Sequence, residues 1–379
     1  MNEKRPVNVQ AAFLCCEGIC LEPMLYLCYH AQNIQIRRGG EMTLLVNAYA
    51  TVVVLPELNF RGEVLNQRDV SDPELVEHLQ GFIGYVLQLD GEEMTQAKYY
   101  TMKHIERVRH QVSAEVDEDD LDDFVDWAES ANAIVYLPDG SVRAPNGAQI
   151  LPATDELILP PTLTSAWARK QRTEAALAQQ NIRTPASLPA VIADEELSLR
   201  PAAECLQRAL GCCVAAVMAD TRASGDPFSV AELQERFPQA YDWMTPDERE
   251  FVENANASER DCINFTWRYE AVATLLWALN ALPSLPDADE VCDVSELADL
   301  VMNLDVNKAL QAAQYRAAAD ILNQLDMMYR LQWLVHDCRH QDQDVPESVN
   351  ASVVQERLYA LNWLTGFDVA DWDNIQTPA

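Results

Sequence analysis

The sequence predicts an α+β protein, with an N-terminal α/β sandwich-like domain followed by a mostly α-helical C-terminal domain. Three observations predict it. Nine of the twelve glycines lie before residue 160, leaving only Gly211, Gly225 and Gly366 afterwards. Glycine supplies the turns that short strands need, so its scarcity later in the chain favours long helices. The chain has 379 residues, 49% of them hydrophobic, enough for more than one core, since single cores stop growing near ~250 residues. Pro152, Pro160 and Pro161 surround the acidic pair Asp155-Glu156, and a Pro-Pro step continues neither a helix nor a central strand. The expected domains are therefore 1–160 and 161–379.

The elements follow in order. Met1-Asn2-Glu3-Lys4-Arg5-Pro6 precedes a short apolar stretch interrupted by Glu17, which reads as a mature N-terminus entering a strand and not as a secretory leader. Residues 43–46 and 49–55 are β-rich runs, expected as two strands joined at Asn47-Ala48. Asp72-Pro73 opens a helix, with Asp at the N-cap and Pro at the first helical position. Leu75, Leu79, Phe82, Ile83 and Val86 continue it at helical spacing. Further helices are expected over 95–112 and 121–131, and paired strands over 133–137 and 148–151 around the turn Pro138-Asp139-Gly140. The helices are expected on one sheet face. Beyond the prolines, 201–219 is an Ala-rich helix. Thr245-Pro246-Asp247-Glu248 has the capping-box arrangement. Residues 263–282, 307–336 and 349–364 read as longer helices, the last stopped by Gly366.

Charge limits the function. Asp and Glu number 60 against 27 Lys and Arg, a net charge of -33. The excess is shared: -15 up to residue 160, from 26 acidic and 11 basic residues, and -18 after it, from 34 and 16. Nucleic acid and anionic membranes need a basic face and are excluded as main partners. Ten cysteines include the adjacent pairs Cys15-Cys16 and Cys212-Cys213. Such pairs suit reduced, core-packed thiols better than a disulfide framework, and imply a cytoplasmic protein.

The region from about 166 to 377 resembles an uncharacterised bacterial family, domain of unknown function 4272. The resemblance is carried by Leu199-Arg200-Pro201-Ala202-Ala203-Glu204, Trp267-Arg268-Tyr269-Glu270-Ala271 and Leu275-Leu276-Trp277-Ala278-Leu279. It continues through Cys292-Asp293, Asp320-Ile321-Leu322 with Asp326 and Tyr329-Arg330, and Gln355-Glu356-Arg357 with Ala360-Leu361-Asn362-Trp363-Leu364. It ends in Asp371-Trp372-Asp373. Asn323 stands where the family carries an acidic residue. The resemblance implies a helical domain and no established reaction; relatives of this kind look like immunity factors that accompany bacterial toxins.

Two groups of residues invite a functional reading. Glu115, Asp117, Glu118, Asp119, Asp120, Asp122, Asp123 and Asp126 place eight carboxylates within twelve residues. This is either a solvated helix start or a decoy surface that steers a basic cleft into contact; an EF-hand does not fit, for want of the central Gly. The second group is Trp267, Arg268, Glu270, Asp326, Arg330, Glu356, Arg357, Asn362, Asp371 and Asp373. Here Arg268 is read with Glu270, Asp326 with Arg330, Glu356 with Arg357, and Asp371 with Asp373, as a structural polar cluster or a pocket for acid–base chemistry. His336 and His340 lie four apart but lack the Glu and third ligand of a zinc site. Cys15, Cys16, Cys20 and Cys28 lack metal-binding spacing. No metal, cofactor or catalytic residue is assigned. The expectation is an acidic binding protein, most simply an immunity protein that occludes the active site of a nuclease or ADP-ribosyltransferase toxin with a basic cleft. An enzyme with a pocket in the helical domain, or an interaction scaffold, is the alternative.

Overall fold

A computed structural model describes residues 35–38, 41–91, 93–117, 120–367 and 370–377. The chain divides into two compact units between Leu163 and Thr164.

The first unit is built on an antiparallel sheet. Its elements are β1 (Gln35–Arg38), β2 (Glu41–Ala50), β3 (Gly62–Asp69), α1 (Pro73–Gln88), α2 (Gln96–Glu106), β4 (His110–Asp117), α3 (Leu121–Ser130), β5 (Ala133–Tyr136), β6 (Val142–Arg143) and β7 (Gln149–Leu151). The strand order is β3-β4-β2-β5-β6-β7, with β1 also on β2. β4 lies along one edge of β2 from Thr43 to Ala50, while the other edge is shared by β1, opposite residues 41–44, and β5, opposite 47–50.

Several local expectations are corrected here. β2 runs unbroken through Asn47-Ala48, because the Asn47 side chain accepts a hydrogen bond from Ser113 Oγ on β4 at 2.5 Å and so keeps its polar group satisfied within the sheet. Residues 51–55 leave the sheet, and Val54 is 81% exposed. The helix expected over 95–112 ends at Glu106, and His110–Asp117 becomes a central strand between β2 and β3. The strands around Pro138-Asp139-Gly140 do not pair directly, since β6 stands between them.

Helices cover both sheet faces instead of one. Alternation along the strands explains this. Val46, Ala48, Ala50, Val112, Ala114 and Val116 pack with Phe124 and Trp127 of α3. Tyr49, Ile134 and Tyr136 point the other way, into a core with Phe82, Tyr85 and Val86 of α1 and Ile105 of α2.

The second unit is helical: α4 (Thr164–Gln179), α5 (Ala202–Ala223), α6 (Val230–Arg236), α7 (Pro238–Asp242), α8 (Pro246–Glu253), α9 (Glu259–Ala278), α10 (Val294–Met302), α11 (Val306–Ala312), α12 (Ala318–His340) and α13 (Ala351–Thr365). At its centre α5 packs on α9, α9 on α13 and α13 on α12. The α5 face is lined by small buried residues, among them Cys205, Ala209, Cys212, Ala216 and Ala219, which let a neighbouring helix come close. Among the described residues α5 is the one helix long and apolar enough to cross a membrane, and most of it is buried in this core.

Caps form where the sequence places them. Asp72 accepts from the Glu74 amide, Thr245 and Glu248 form a capping box, and Gly366 ends α13 in the left-handed conformation at φ 65. The single helix expected over 307–336 is broken into α11 and α12. In the linker, Arg316 donates to the carbonyls of Trp277 at 2.7 Å and Leu282 at 2.9 Å, which draws the chain across the end of α9.

Candidate functional site

The polar residues singled out in the helical unit do meet, but with exchanged partners. Arg268 on α9 pairs with Glu356 on α13 at 3.0 Å, and Glu270 on α9 pairs with Arg357 on α13 at 2.9 Å. The expected pairs within one helix are one and two residues apart and face different directions. The exception is Asp326 with Arg330, one turn apart on α12, which pair at 2.8 and 3.1 Å with both side chains fully buried.

Two of these pairs fasten loops. Arg357 also donates to the carbonyls of Pro286 at 2.7 Å and Glu290 at 3.0 Å, and the second oxygen of Glu270 accepts from the Cys292 amide at 2.5 Å, so the α9–α10 loop is stitched to α13. Arg330 donates to Glu174 and to the Pro189 carbonyl, both at 3.2 Å. Lys170 and Arg169 of α4 hold the same segment through the carbonyls of Ala186, Leu188 and Ile192.

The remaining pair, Arg268–Glu356, belongs to a cluster that is less fully enclosed. Beside it Arg208 of α5 pairs with Glu248 of α8, whose oxygen also closes the α8 capping box. Arg268 lies over the Tyr359 ring at 4.1 Å, and the Trp372 ring lies 5.1 Å from the Arg208 guanidinium carbon and 6.0 Å from that of Arg268. Burial pushes the Glu356 carboxyl up, against the opposing pull of Arg268. Burial likewise raises the Tyr359 hydroxyl to about 12, and the Cys212 thiol, close to both ion pairs, lies well above its ordinary value for the same reason. One oxygen of Glu248 is buried without a protein partner.

Arg208 and Tyr359 were not singled out from sequence, and Asp247 and Glu248 were named only as part of the α8 capping-box motif. The available signal was Gly211, the lone glycine of the Ala-rich helix. A Cβ there would meet the Trp243 carbonyl oxygen at 2.6 Å and the Arg208 guanidinium at 3.0 Å. Of the other expected residues, Trp267 is half-buried and Asp371 exposed. Asn362 is buried and donates to the Gln376 carbonyl at 2.9 Å. Asp371 and Asp373 do not form a paired site; Asp373 instead accepts from the Asp247 amide at 3.3 Å.

The acidic run is divided by its own strand. Asp122, Asp123 and Asp126 lie exposed on α3. Asp120 is half-buried and accepts from the Arg61 amide at 2.5 Å, and Asp117 is half-buried at the end of β4. Glu115 does not belong to the surface at all. It is 7% exposed and faces away from α3, because its neighbours Ala114 and Val116 take the α3 side. Glu118 and Asp119 lie outside the described residues, as do Cys15, Cys16, Cys20 and Cys28. His336 and His340 are exposed near the end of α12, with the His336 ring on the Gln332 amide at 2.8 Å. Among the described residues no group of three or more His, Cys, Asp or Glu side chains is placed to hold a metal. Cys205, Cys212, Cys213, Cys262, Cys292 and Cys338 are free and buried.

No curated protein and no solved structure matches the chain. A family does: residues 169–375, more than half of the chain and nearly all of the helical unit, match the domain of unknown function DUF4272. The motifs from Arg200 to Asp373 that line α5, α9, α12 and α13 thus lie inside the matched region, and the chain belongs to the DUF4272 family.

Proposed function

We propose that the protein is an acidic, cytoplasmic binding protein that acts as an immunity factor, covering the basic active-site cleft of a cognate bacterial toxin of the nuclease or ADP-ribosyltransferase class. One observation supports this reading above the others, the excess of carboxylates that the helical unit carries on its surface. Five of the sixteen basic residues after residue 160 are buried, Arg169, Lys170, Arg208, Arg330 and Arg357, each donating to main-chain carbonyls. Among the described carboxylates of this unit only Glu196, Glu248, Glu270, Asp326 and Glu356 are buried. Equal numbers of the two signs are therefore buried, and the excess of 34 acidic over 16 basic residues after residue 160 is left to the surface, where most of the described carboxylates are exposed. Such a surface complements a phosphate-binding cleft and accelerates encounter by ~10- to 1000-fold at low salt. The buried free thiols fit a reducing compartment.

The test is direct mixing with a toxin domain encoded beside the gene. Stoichiometric binding that blocks toxin activity is expected, with an association rate that falls as salt rises. An association rate indifferent to ionic strength would refute the charge argument, and no binding would refute the immunity reading. The rival reading, an enzyme working at Arg268 and Glu356, draws on the raised carboxyl of Glu356 beside a guanidinium. It requires a turnover that Glu356→Gln abolishes without loss of stability.

A further inference from the structure

β3 lies at one end of the strand order, and among the described residues it pairs with β4 alone. It is eight residues long and exposed over most of its length, with Val64 43% and Leu65 40% exposed. Such an edge carries a row of main-chain N–H and C=O groups that another strand can pair with. Val64 stands opposite Ala114, which belongs to the core under α3, so the apolar face of the sheet runs out to Val64 and ends there open to solvent. A bulge between Val64 and Asn66 shifts the register, a device that discourages indiscriminate pairing.

The charge along this edge specifies what would pair with it. The chain entering β3 is held against the start of α3. The Arg61 amide donates to Asp120, the Arg61 carbonyl accepts from the Asp117 amide at 3.3 Å, and the Phe60 ring packs on Phe124 at 5.3 Å and Trp127 at 5.5 Å. The strand therefore begins beside the acidic start of α3. There Arg61 lies 3.9 Å from Asp120, while Asp122, Asp123 and Asp126 are exposed and have no ion-pair partner among the described residues. On the other face of the sheet the exposed Glu63 stands opposite Glu115, so a neighbouring strand would meet a carboxylate there too.

We propose that β3 is a docking edge. An extended segment of a partner protein, with Lys or Arg alternating with apolar residues, adds to it as a further strand. Main-chain hydrogen bonds supply the pairing, Val64 and Leu65 the apolar contact, and Glu63 with the α3 carboxylates the preference for cations. The proposal rests on the reading of this protein as a binder of basic partners, and holds whether or not that partner is a toxin.

The probes are two labelled peptides with blocked termini, matched to the eight residues of β3, one alternating Lys with Val and the other Glu with Val. Titrated against the full chain, the Lys peptide should raise the fluorescence anisotropy and the Glu peptide should not. On binding, hydrogen exchange of the amides at 62–69 should slow several-fold. Val64→Lys with Leu65→Lys sets like charge on the edge and should weaken the Lys peptide by about tenfold. Changing Asp122, Asp123 and Asp126 to Asn should weaken it less, by a factor that shrinks as salt rises. No binding of the Lys peptide overturns the proposal. So does binding that leaves exchange at 62–69 unchanged, which would be adhesion to charge alone; this measurement on the wild type decides even if the double Lys variant folds poorly. A dimer in light scattering that the double Lys variant dissociates would give the edge to a second copy and also overturn it. Failure of a toxin domain to bind or be inhibited bears on the immunity reading and leaves the peptide result standing, so the two failures are distinct.

Discussion

Removing the Arg357 side chain measures how much stability rests on the inward-turned cations. The residue is fully buried and its guanidinium bonds Glu270 at 2.9 Å and the carbonyls of Pro286 and Glu290 at 2.7 and 3.0 Å. Arg357→Met keeps much of the apolar bulk and deletes the charge. Glu270, itself 2% exposed, is left with the Cys292 amide and no counter-charge. Stranding one partner of a buried pair costs ~3–5 kcal/mol. The freed loop carbonyls can turn to water and add little. For a unit of this size the melting temperature should drop by roughly 6–20 °C, at about 2–4 °C per kcal/mol. Urea unfolding followed by tryptophan fluorescence gives the global number. Cys292 gives a local one. Its thiol is 7% exposed and held far above the ordinary range by burial and by Glu270, so loosening the loop should make it react faster with a thiol reagent. Adding Glu270→Gln to Arg357→Met should recover much of the loss. A cost below about 1 kcal/mol with Cys292 still protected would show that these arginines are incidental to stability.

Four further outcomes are expected. Changing Asp122, Asp123 and Asp126 together to Asn should leave stability within about 0.5 kcal/mol, as exposed sites usually do, and slow partner association; Glu115→Gln should do the reverse, altering unfolding and not the association rate. Gly211→Ala should destabilise by roughly 1–3 kcal/mol in thermal unfolding, because overpacking against the Trp243 carbonyl outweighs the better helix propensity of Ala. Thr245→Ala removes one side of the α8 capping box and should cost ~1 kcal/mol in urea unfolding. Burial, aided by Arg68, lowers His78 to about 4. Its contribution is thus present above the unfolded value near 6.5 and is lost as pH falls toward 4, and a pH series of unfolding should show this component vanish in His78→Gln.

What was legible in the sequence was local. The caps at Asp72, Thr245 and Gly366 are written in adjacent residues, and so is the Asp326–Arg330 pair, one helical turn apart. What was not legible depended on distant segments. The first residues of β4, 110–112, read as the tail of a helix until β2 and β3 flank them, and only that pairing shows why Val112, Ala114 and Val116 alternate with polar residues. Arg268 and Glu270 have obvious neighbours in sequence, yet their partners come from α13, about ninety positions away, with separations of 88 and 87. The acidic run reads as one patch until the β4 pleat turns Glu115 inward. Arg208 has no local mark, and only the glycine three residues later hints that something must pass close to α5.

The reach of the basic side chains has a practical corollary. Arg200 grips the Ala370 carbonyl 170 positions onward, and Arg330 grips that of Pro189, 141 positions back. The beginning and the end of the helical unit are therefore sewn to each other, and neither can be trimmed independently. Removing the segment from residue 368 onward should fray the bundle around residue 200, because Arg200 would lose its Ala370 acceptor and Trp363 its packing against Trp372.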